Sequence, residues 1–282
     1  MRRWSVIALS LATLLCAAPP SWAQSDAPQD EAELRYSKHH RFLSASQPGS
    51  RVSMYVDNGS HVGRADVLDE ASGSIFNVHM YPDLLIDSRC VLPPIGRIKR
   101  YDGKSVFSRF TTFNRLRVNL WQTLEPGPLP GAYQMRRRFH FVNLNATAVD
   151  VPVVFVLETR VYDQHVLADY GHLAHSSQWA YMVNSRVPQA DRLTNFIGIS
   201  GAGLGRTELA VMKSKFCDVA GFEDRMVDGD VDGDRTSDSA ASRMLVSRRW
   251  LHLEPGQAQT MTFDTLFGRS MLTSLDDLPN HR

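Results

Sequence analysis

The sequence predicts an all-β protein, a large antiparallel β-sandwich that carries a calcium-binding loop. Three observations lead to this fold class. From Arg51 onward, short β-branched and aromatic runs alternate with Gly, Pro, Asn and Asp, which is the spacing of strands and turns. In the clearest runs apolar residues recur at every second position, as on half-exposed antiparallel strands. No run of a dozen residues beyond the N-terminal segment has a persuasive helical period, so two packed sheets are the simplest way to bury these faces.

The first 23 residues have the features of a cleaved export signal. Two arginines follow Met1, residues 4–18 are almost entirely apolar, and Ser21-Trp22-Ala23 ends in the small residues that a signal peptidase accepts. The apolar run is too short for a retained membrane anchor and is followed by Pro19-Pro20. We therefore expect a secreted or periplasmic protein whose mature chain begins at Gln24 and contains no integral membrane segment.

The rest of the chain divides into a lead-in, one domain and a tail. Residues 24–50 are polar and mixed in charge, which predicts a flexible lead-in. Residues 51–272 are expected to form a single β-sandwich domain, because no linker rich in Pro, Gly or Ser divides them near the middle. Residues 273–282 follow the last predicted strand as a tail.

The charge composition argues against a nucleic-acid partner. The chain has 31 basic and 30 acidic side chains, a net charge of +1. Removal of Arg2 and Arg3 with the signal leaves 29 basic and 30 acidic residues, a net charge of −1. Nucleic-acid-binding proteins usually carry a basic excess or stripe instead. The candidate partners are an envelope protein or a carbohydrate ligand.

Strand predictions rest on which residues share a face. Met135, Phe139 and Phe141 lie on one face of a predicted strand, with Arg136 and Arg138 on the other. Segments 116–120 and 260–267 alternate in the same way. Segment 151–157 is apolar on both faces, as expected of a central strand.

Two predicted turns connect these strands. One spans 143–147, and in the other, 253–257, Pro255 and Gly256 suit the central positions of a tight turn. The F-x-F-x-N motif at 139–143 and the L-x-P-G motif at 253–256 are similar to those of bacterial extracellular β-sandwich modules in general. That resemblance implies a sandwich and no active site.

The most informative segment is the acidic loop of residues 228–238. Its carboxylates stand mostly at alternating positions, and interleaved Gly residues let the chain curl around one cation. Many hard oxygen ligands in a flexible loop suit Ca²⁺. The expected ligands are Asp228, Asp230, Asp232, Asp234 and Asp238, with the carbonyl of Thr236 as an addition.

Two registers of this loop are open. Counted from Asp228 it begins like an EF-hand loop, but Ser239 stands where that loop has its bidentate Glu. Counted from Asp230, the nine residues to Asp238 resemble the calcium repeat of thrombospondin type 3 domains, with Arg235 where that family usually has Gly. The resemblance implies a calcium loop and does not extend to that family's fold or partners.

Cysteine usage agrees with export. Without Cys16, which lies in the signal, Cys90 and Cys217 remain. An even pair in an oxidising compartment predicts one disulfide, with two separate buried thiols as the alternative. The bond would tether the start of the acidic loop to the front of the domain, which favours a structural role for the loop.

The candidate catalytic residues do not form a recognisable constellation. Glu158 and Asp163 flank the end of the central strand, and an enzyme acting on carbohydrate would need them or His140 beside Arg and Trp side chains. Aromatic residues at strand ends are candidates for a sugar-stacking platform or for core packing. They are Trp121, Trp179, Tyr181 and Trp250.

The sequence thus favours an exported calcium-binding β-sandwich with a non-catalytic binding or structural role at the cell envelope. The alternative is a carbohydrate-active enzyme, an epimerase or a polysaccharide-degrading enzyme, because large β-sandwiches host such enzymes.

Overall fold

The predicted all-β sandwich is confirmed by a computed structural model. Most of the described residues lie in antiparallel strands of two sheets. Within this part of the chain, no helix is long and apolar enough to cross a membrane. The described residues are 41–56, 62–87, 89–91, 98–163, 166–167, 170–173, 179–184, 191–200, 206–211 and 243–279.

The first sheet contains nine of the described strands. They are β1 (Arg41–Gln47), β2 (Ser50–Val56), β3 (Val62–Asp69), β4 (Ile75–Ile86), β5 (Arg89–Cys90), β10 (Val149–Asp163), β11 (Val166–Leu167), β15 (Arg206–Val211) and β16 (Arg243–Leu253). The order across the sheet is β1-β2-β3-β4-β10-β16-β15, with β5 paired to β4 and β11 paired to β10.

The second sheet contains eight of the described strands. They are β6 (Ile98–Tyr101), β7 (Ser105–Thr111), β8 (Leu116–Pro126), β9 (Ala132–Asn143), β12 (Tyr170–Leu173), β13 (Trp179–Val183), β14 (Leu193–Ser200) and β17 (Ala258–Met271). Their order is β12-β13-β14-β17-β9-β8-β7-β6. A 3₁₀ turn at Leu275–Asp277 follows β17.

The main core fills the space between the two sheets. Strand β10 is central in the first sheet, paired to β4 on one side and β16 on the other, as its doubly apolar sequence predicts. Phe155 of β10 stacks on Phe263 of β17, with ring centroids 5.0 Å apart. Phe139 meets Phe263 edge-on at 5.8 Å. Aromatic packing therefore joins the two layers at the centre of the sandwich.

The two predicted turns lie side by side and connect strands of opposite sheets. The amide of Gln257 donates to the carbonyl of Glu254 (2.9 Å), and Gly256 has a φ of +75°, a conformation that glycine adopts readily. The Asn143 side-chain amide donates to the carbonyls of Thr147 (2.8 Å) and Leu253 (3.0 Å). Asn143 thereby ties the β9–β10 turn to the end of β16.

The ordered sandwich is wider than the predicted domain at both ends. Strand β1 lies inside the segment 24–50 that was predicted to be a flexible lead-in, because Leu43 is fully buried and pairing with β2 supplies the backbone hydrogen bonds. At the other end Leu278, in the predicted tail, is buried against the second sheet. Only every second residue of β1 contacts the core, so its sequence reads as polar.

Candidate binding face on the second sheet

The second sheet has an inner face that points toward the first sheet and an outer face that points away from it. On β9, Met135 and Phe139 belong to the core between the sheets, so Arg136, Arg138 and His140 project from the outer face. The strand register then determines which side chains accompany them. Arg138 lies beside Trp121 of β8, His140 beside Asn119 of β8 and Thr260 of β17, and Arg136 beside Asp264 of β17.

An aromatic row crosses this outer face, and we use that name for Phe107, Trp121, Arg138 and His140. The rings of Phe107 and Trp121 lie 4.9 Å apart at an angle of 31°. The guanidinium carbon of Arg138 lies 5.1 Å from the centroid of the Trp121 ring, within the range of a cation–π contact. His140 approaches the same ring edge-on at 6.5 Å. Trp121 is therefore held by neighbours from both adjoining strands.

Polar contacts orient the side chains next to the aromatic row. Arg109 donates from Nε to the Oδ1 atom of Asn119 (2.7 Å), and its guanidinium lies 5.9 Å from the Phe107 ring. His140 Nδ1 and the hydroxyl of Thr260 are 3.0 Å apart, a hydrogen bond in which either atom can donate. Arg109 and His140 are thus positioned before any ligand binds.

Two carboxylates bracket Arg136 at one side of the row. Its Nε lies 3.2 Å from the Asp264 carboxylate, and its Nη1 lies 3.2 Å from that of Glu125. The Asp264 side chain is only 4% exposed, whereas those of Arg136 and Glu125 are 47% and 38% exposed. Arg136 is thus engaged by protein carboxylates, while the exposed guanidiniums of Arg109 and Arg138 are bound to neutral groups.

Arg137, between these outward arginines, points into the core. It is 1% exposed, donates from Nη1 to the Thr265 hydroxyl (2.7 Å) and from Nε to the Gln122 side chain (3.3 Å), and lies over the Phe155 ring at 5.5 Å. Burial lowers its pKa to about 9, and the charge of Asp264 opposes that shift. The period-two pattern of the sequence predicts this position, since Arg137 lies on the same face of the strand as Met135. Three successive arginines, however, suggest an exposed surface.

The C-terminal segment covers the part of the outer face that β13 and β14 form. Trp179 and Tyr181 of β13 stack at 5.5 Å and are almost fully buried. Leu272 and Leu278 pack in the same cluster, and the Tyr181 hydroxyl donates to the carbonyl of Pro279 (2.6 Å). Burial raises the pKa of Tyr181. These two aromatic residues therefore pack in a hydrophobic cluster. Trp121, which is partly exposed, lies on a part of the face outside this cluster.

The other predicted residues lie elsewhere. Trp250 is on β16 of the first sheet, 60% exposed, with its indole N–H donating to Asp150. Glu158 and Asp163 lie on β10, also in the first sheet. His140 lies on β9 of the second sheet, so these two residues and His140 belong to different sheets. His140 does meet Arg138 and Trp121, and the nearby carboxylates are Asp264 and Glu125, which sequence reasoning did not single out as site residues.

The predicted calcium ligands, Asp228 to Asp238, lie outside the described residues, as does Cys217. Cys90 is on β5, and only its backbone is described. In the part of the chain that the structure describes, no group of three or more His, Cys, Asp or Glu side chains could hold a metal ion. The loop and the disulfide stay predictions.

No family model matches the chain, and no curated protein matches it. Among solved structures, it is similar to a galactose mutarotase related enzyme from Lactobacillus acidophilus (7% identity, TM-score 0.40, 83% of this chain and 98% of that one). A protein from Synechocystis sp. PCC 6803 matches with 10% identity and a TM-score of 0.42 over 83% of this chain and 96% of that one. A putative aldose 1-epimerase from Escherichia coli K12 has 9% identity and a TM-score of 0.35 over 83% and 100%. At these identities and TM-scores, the activities of the similar structures are not assigned to this chain.

Proposed function

We propose that this chain is a non-catalytic binding protein for an acidic polysaccharide, which it holds on the outer face of the second sheet. The observation that carries the proposal is the aromatic row, in which Arg138 lies 5.1 Å from the Trp121 ring beside Phe107 and His140. A ring supplies a flat apolar surface, and an exposed guanidinium supplies charge and paired N–H donors. A sugar that bears a carboxylate or sulfate uses both.

Charge on this face favours an anionic ligand over a neutral one. Arg109 and Arg138 are exposed and bound to neutral partners, the Asn119 amide and the Trp121 ring. A carboxylate or sulfate group would give each of them a charge-assisted, bidentate partner. Neutral sugars would stack on Trp121 but leave both guanidiniums without that gain.

Binding is favoured over catalysis by the positions of the titratable groups. Arg136 lies between the carboxylates of Glu125 and Asp264, where a sugar or an attacking water would have to enter. His140 lies four residues further along β9, about 13 Å from Arg136 at the usual rise of a strand. Acid–base catalysis needs its groups within hydrogen-bonding reach of one reacting bond.

A carbohydrate-active enzyme is the second candidate. It rests on the same pair of carboxylates, since two acids that flank a sugar bond are the usual apparatus of glycoside cleavage. It requires Arg136 to release one of them when substrate enters. Incubation of the protein with polygalacturonate and heparin, followed by assay of new reducing ends and of unsaturated products, distinguishes the two. The binding proposal predicts neither product.

Affinity electrophoresis in gels that contain polygalacturonate, heparin or dextran tests the binding site. We expect retardation in at least one acidic gel and none in dextran. Trp121→Ala should weaken that binding about tenfold or more, because it removes the stacking ring. Trp250→Ala is the matched control, since it removes an exposed tryptophan of the first sheet. Equal loss in both variants, or retardation in dextran alone, contradicts the proposal.

Export and calcium binding complete the proposed function. A calcium ion held by Asp230, Asp232, Asp234 and Asp238, or by the register that begins at Asp228, would stabilise a loop whose carboxylates repel one another without a cation. Calorimetric titration with Ca²⁺ should give heat of binding and a higher melting temperature than a chelated sample. Absence of both contradicts the calcium site. Mass spectrometry of the exported protein should show Gln24 as its first residue.

A further inference from the structure

Strand β6 places a further arginine beside the aromatic row. Arg100 of β6 pairs with Phe107 of β7, and Phe107 pairs with Trp121 of β8. Trp121 in turn pairs with Arg138 of β9. Side chains that pair across antiparallel strands lie on the same face of the sheet. Arg100 therefore lies on the outer face, with the two rings between it and Arg138.

An irregularity in β6 turns Arg100 to this face. Ile98 packs against the core between the sheets and pairs with Ser108. Strict alternation along the strand would place Arg100, two residues later, on the inner face as well. The register shifts between Ile98 and Arg100, so that Arg100 pairs with Phe107 and is exposed. A β-bulge that redirects a side chain in this way is common next to functional sites.

The outer face of strands β6 to β9 carries an excess of positive charge. Arg109 and Arg117 lie on this face because they stand at even spacing from Phe107 and Trp121 on the same strands. Glu125 is the only acidic residue within these four strands, and its carboxylate is paired with an arginine of β9. Acids of the same strands therefore do not balance these cations, which favours an anionic ligand with more than one charge.

The spacing of the cations favours a long ligand over a small one. Neighbouring strands lie about 4.8 Å apart, so the backbones at Arg100 and Arg138, three strand positions apart, are separated by about 14 Å. Arg109 is displaced from the row by two residues of β7, about 7 Å along the strand. Sugar residues of an extended chain advance by a distance close to the strand spacing. A chain that crosses the strands therefore presents about one residue to each strand.

We propose that the ligand is a linear acidic oligosaccharide that crosses the strands from β9 to β6, where Arg100 binds an anionic group beyond the one that Arg138 binds. The inference rests on the proposed function and specifies the direction and the minimum length of the ligand. A chain of about four sugar residues spans the four strands. Shorter chains that contact Arg138 do not reach Arg100.

Titration calorimetry with oligogalacturonides and with heparin oligosaccharides of increasing length tests this proposal. In the series that binds, affinity should rise up to about the tetrasaccharide, as successive strands are reached. Arg100→Gln should weaken hexasaccharide binding about threefold or more, because one exposed charge contact is lost. It should also lower the slope of log affinity against log salt by about one. Disaccharide binding should stay within about twofold of the unmodified protein, whereas Arg138→Gln should weaken both lengths.

The control is Arg51→Gln, which removes an exposed arginine from β2 of the first sheet and should change neither the affinity nor the salt slope. Arg100 is exposed on an edge strand, so its substitution should leave the melting temperature unchanged. If hexasaccharides bind through Arg138 no more tightly than disaccharides, and Arg100→Gln has no effect, this inference is wrong and the proposed function stands. Absence of binding at every length in both series contradicts both.

Discussion

At the scale of single residues, Arg137 shows how strongly position governs the role of a side chain. Its neighbours in sequence, Arg136 and Arg138, face outward, whereas Arg137 lies among Phe155, Gln122 and Thr265. A buried cation with only neutral hydrogen-bond partners is costly to desolvate. Removing that cost by an apolar side chain of similar length should therefore stabilise the protein.

We predict that Arg137→Met raises the free energy of unfolding by about 1–2 kcal/mol at pH 7. The gain should shrink as pH rises above about 9, the lowered pKa of this guanidinium. Between that pH and the higher pKa of an unburied guanidinium, the unfolded chain holds more protons than the folded one, so the unmodified protein gains stability with pH and the variant does not. Urea unfolding at pH 7 and pH 10 measures both effects. A destabilised variant at pH 7 contradicts this account.

The ion pair between Arg136 and Asp264 leads to a prediction of the opposite sign, a loss of stability on substitution of Arg136. Because its carboxylate is nearly buried and pairs with Arg136, Arg136→Gln leaves a charge inside the protein without its ion-pair partner. We predict a loss of about 1–3 kcal/mol in the free energy of unfolding. The double variant Arg136→Gln with Asp264→Asn should recover part of that loss. Two substitutions whose effects simply add in urea unfolding would show that the pair is not coupled.

At the scale of elements, the sequence predicted strands from their apolar period but not how strands of the two sheets meet. Alternation identified β8, β9 and β17 and the central position of β10, because burial of one or both faces leaves a direct pattern. The register between neighbouring strands leaves no such pattern in the sequence. For that reason the meeting of Arg136 with Asp264, 128 residues apart, and of Arg138 with Trp121 could not be predicted.

The turn between β8 and β9 gives an element-scale prediction. Gly131→Ala should cost about 3 kcal/mol or more, because the new methyl group both strains a positive φ and meets the Arg269 carbonyl. Gly73→Ala is the matched control. Gly73 has a φ of +66° and open space around its Cβ position, so only the conformational strain of about 1–2 kcal/mol applies. Equal melting temperatures of the two variants would contradict the packing argument.

At the scale of the whole molecule, the chain end completes the fold by covering the second sheet. Leu272 and Leu278 seal Trp179 and Tyr181, although the sequence placed 273–282 in a tail. That tail has few apolar residues, and nothing in its pattern shows which surface it covers. The same covering removes Trp179 and Tyr181 from the candidate binding face, to which Trp121 belongs.

We predict that Leu278→Ser destabilises the protein by about 2–4 kcal/mol, because it places a hydroxyl in a closed apolar cluster. Tryptophan emission should also shift to the red as water reaches Trp179. Leu144→Ser is the control, since Leu144 is 41% exposed and its substitution should change stability by less than about 0.5 kcal/mol. An unchanged emission maximum in Leu278→Ser would mean that the segment does not seal the cluster.

The most direct test of the central claim is the affinity of the outer face for an acidic oligosaccharide, measured by titration calorimetry with an oligogalacturonide. Arg138→Gln should weaken binding about tenfold or more, because it removes the cation beside Trp121. Arg64→Gln removes an exposed arginine of the first sheet and should leave the affinity unchanged. Oligogalacturonide affinities that fall equally in both variants, or that change in neither, would contradict the assignment of this face.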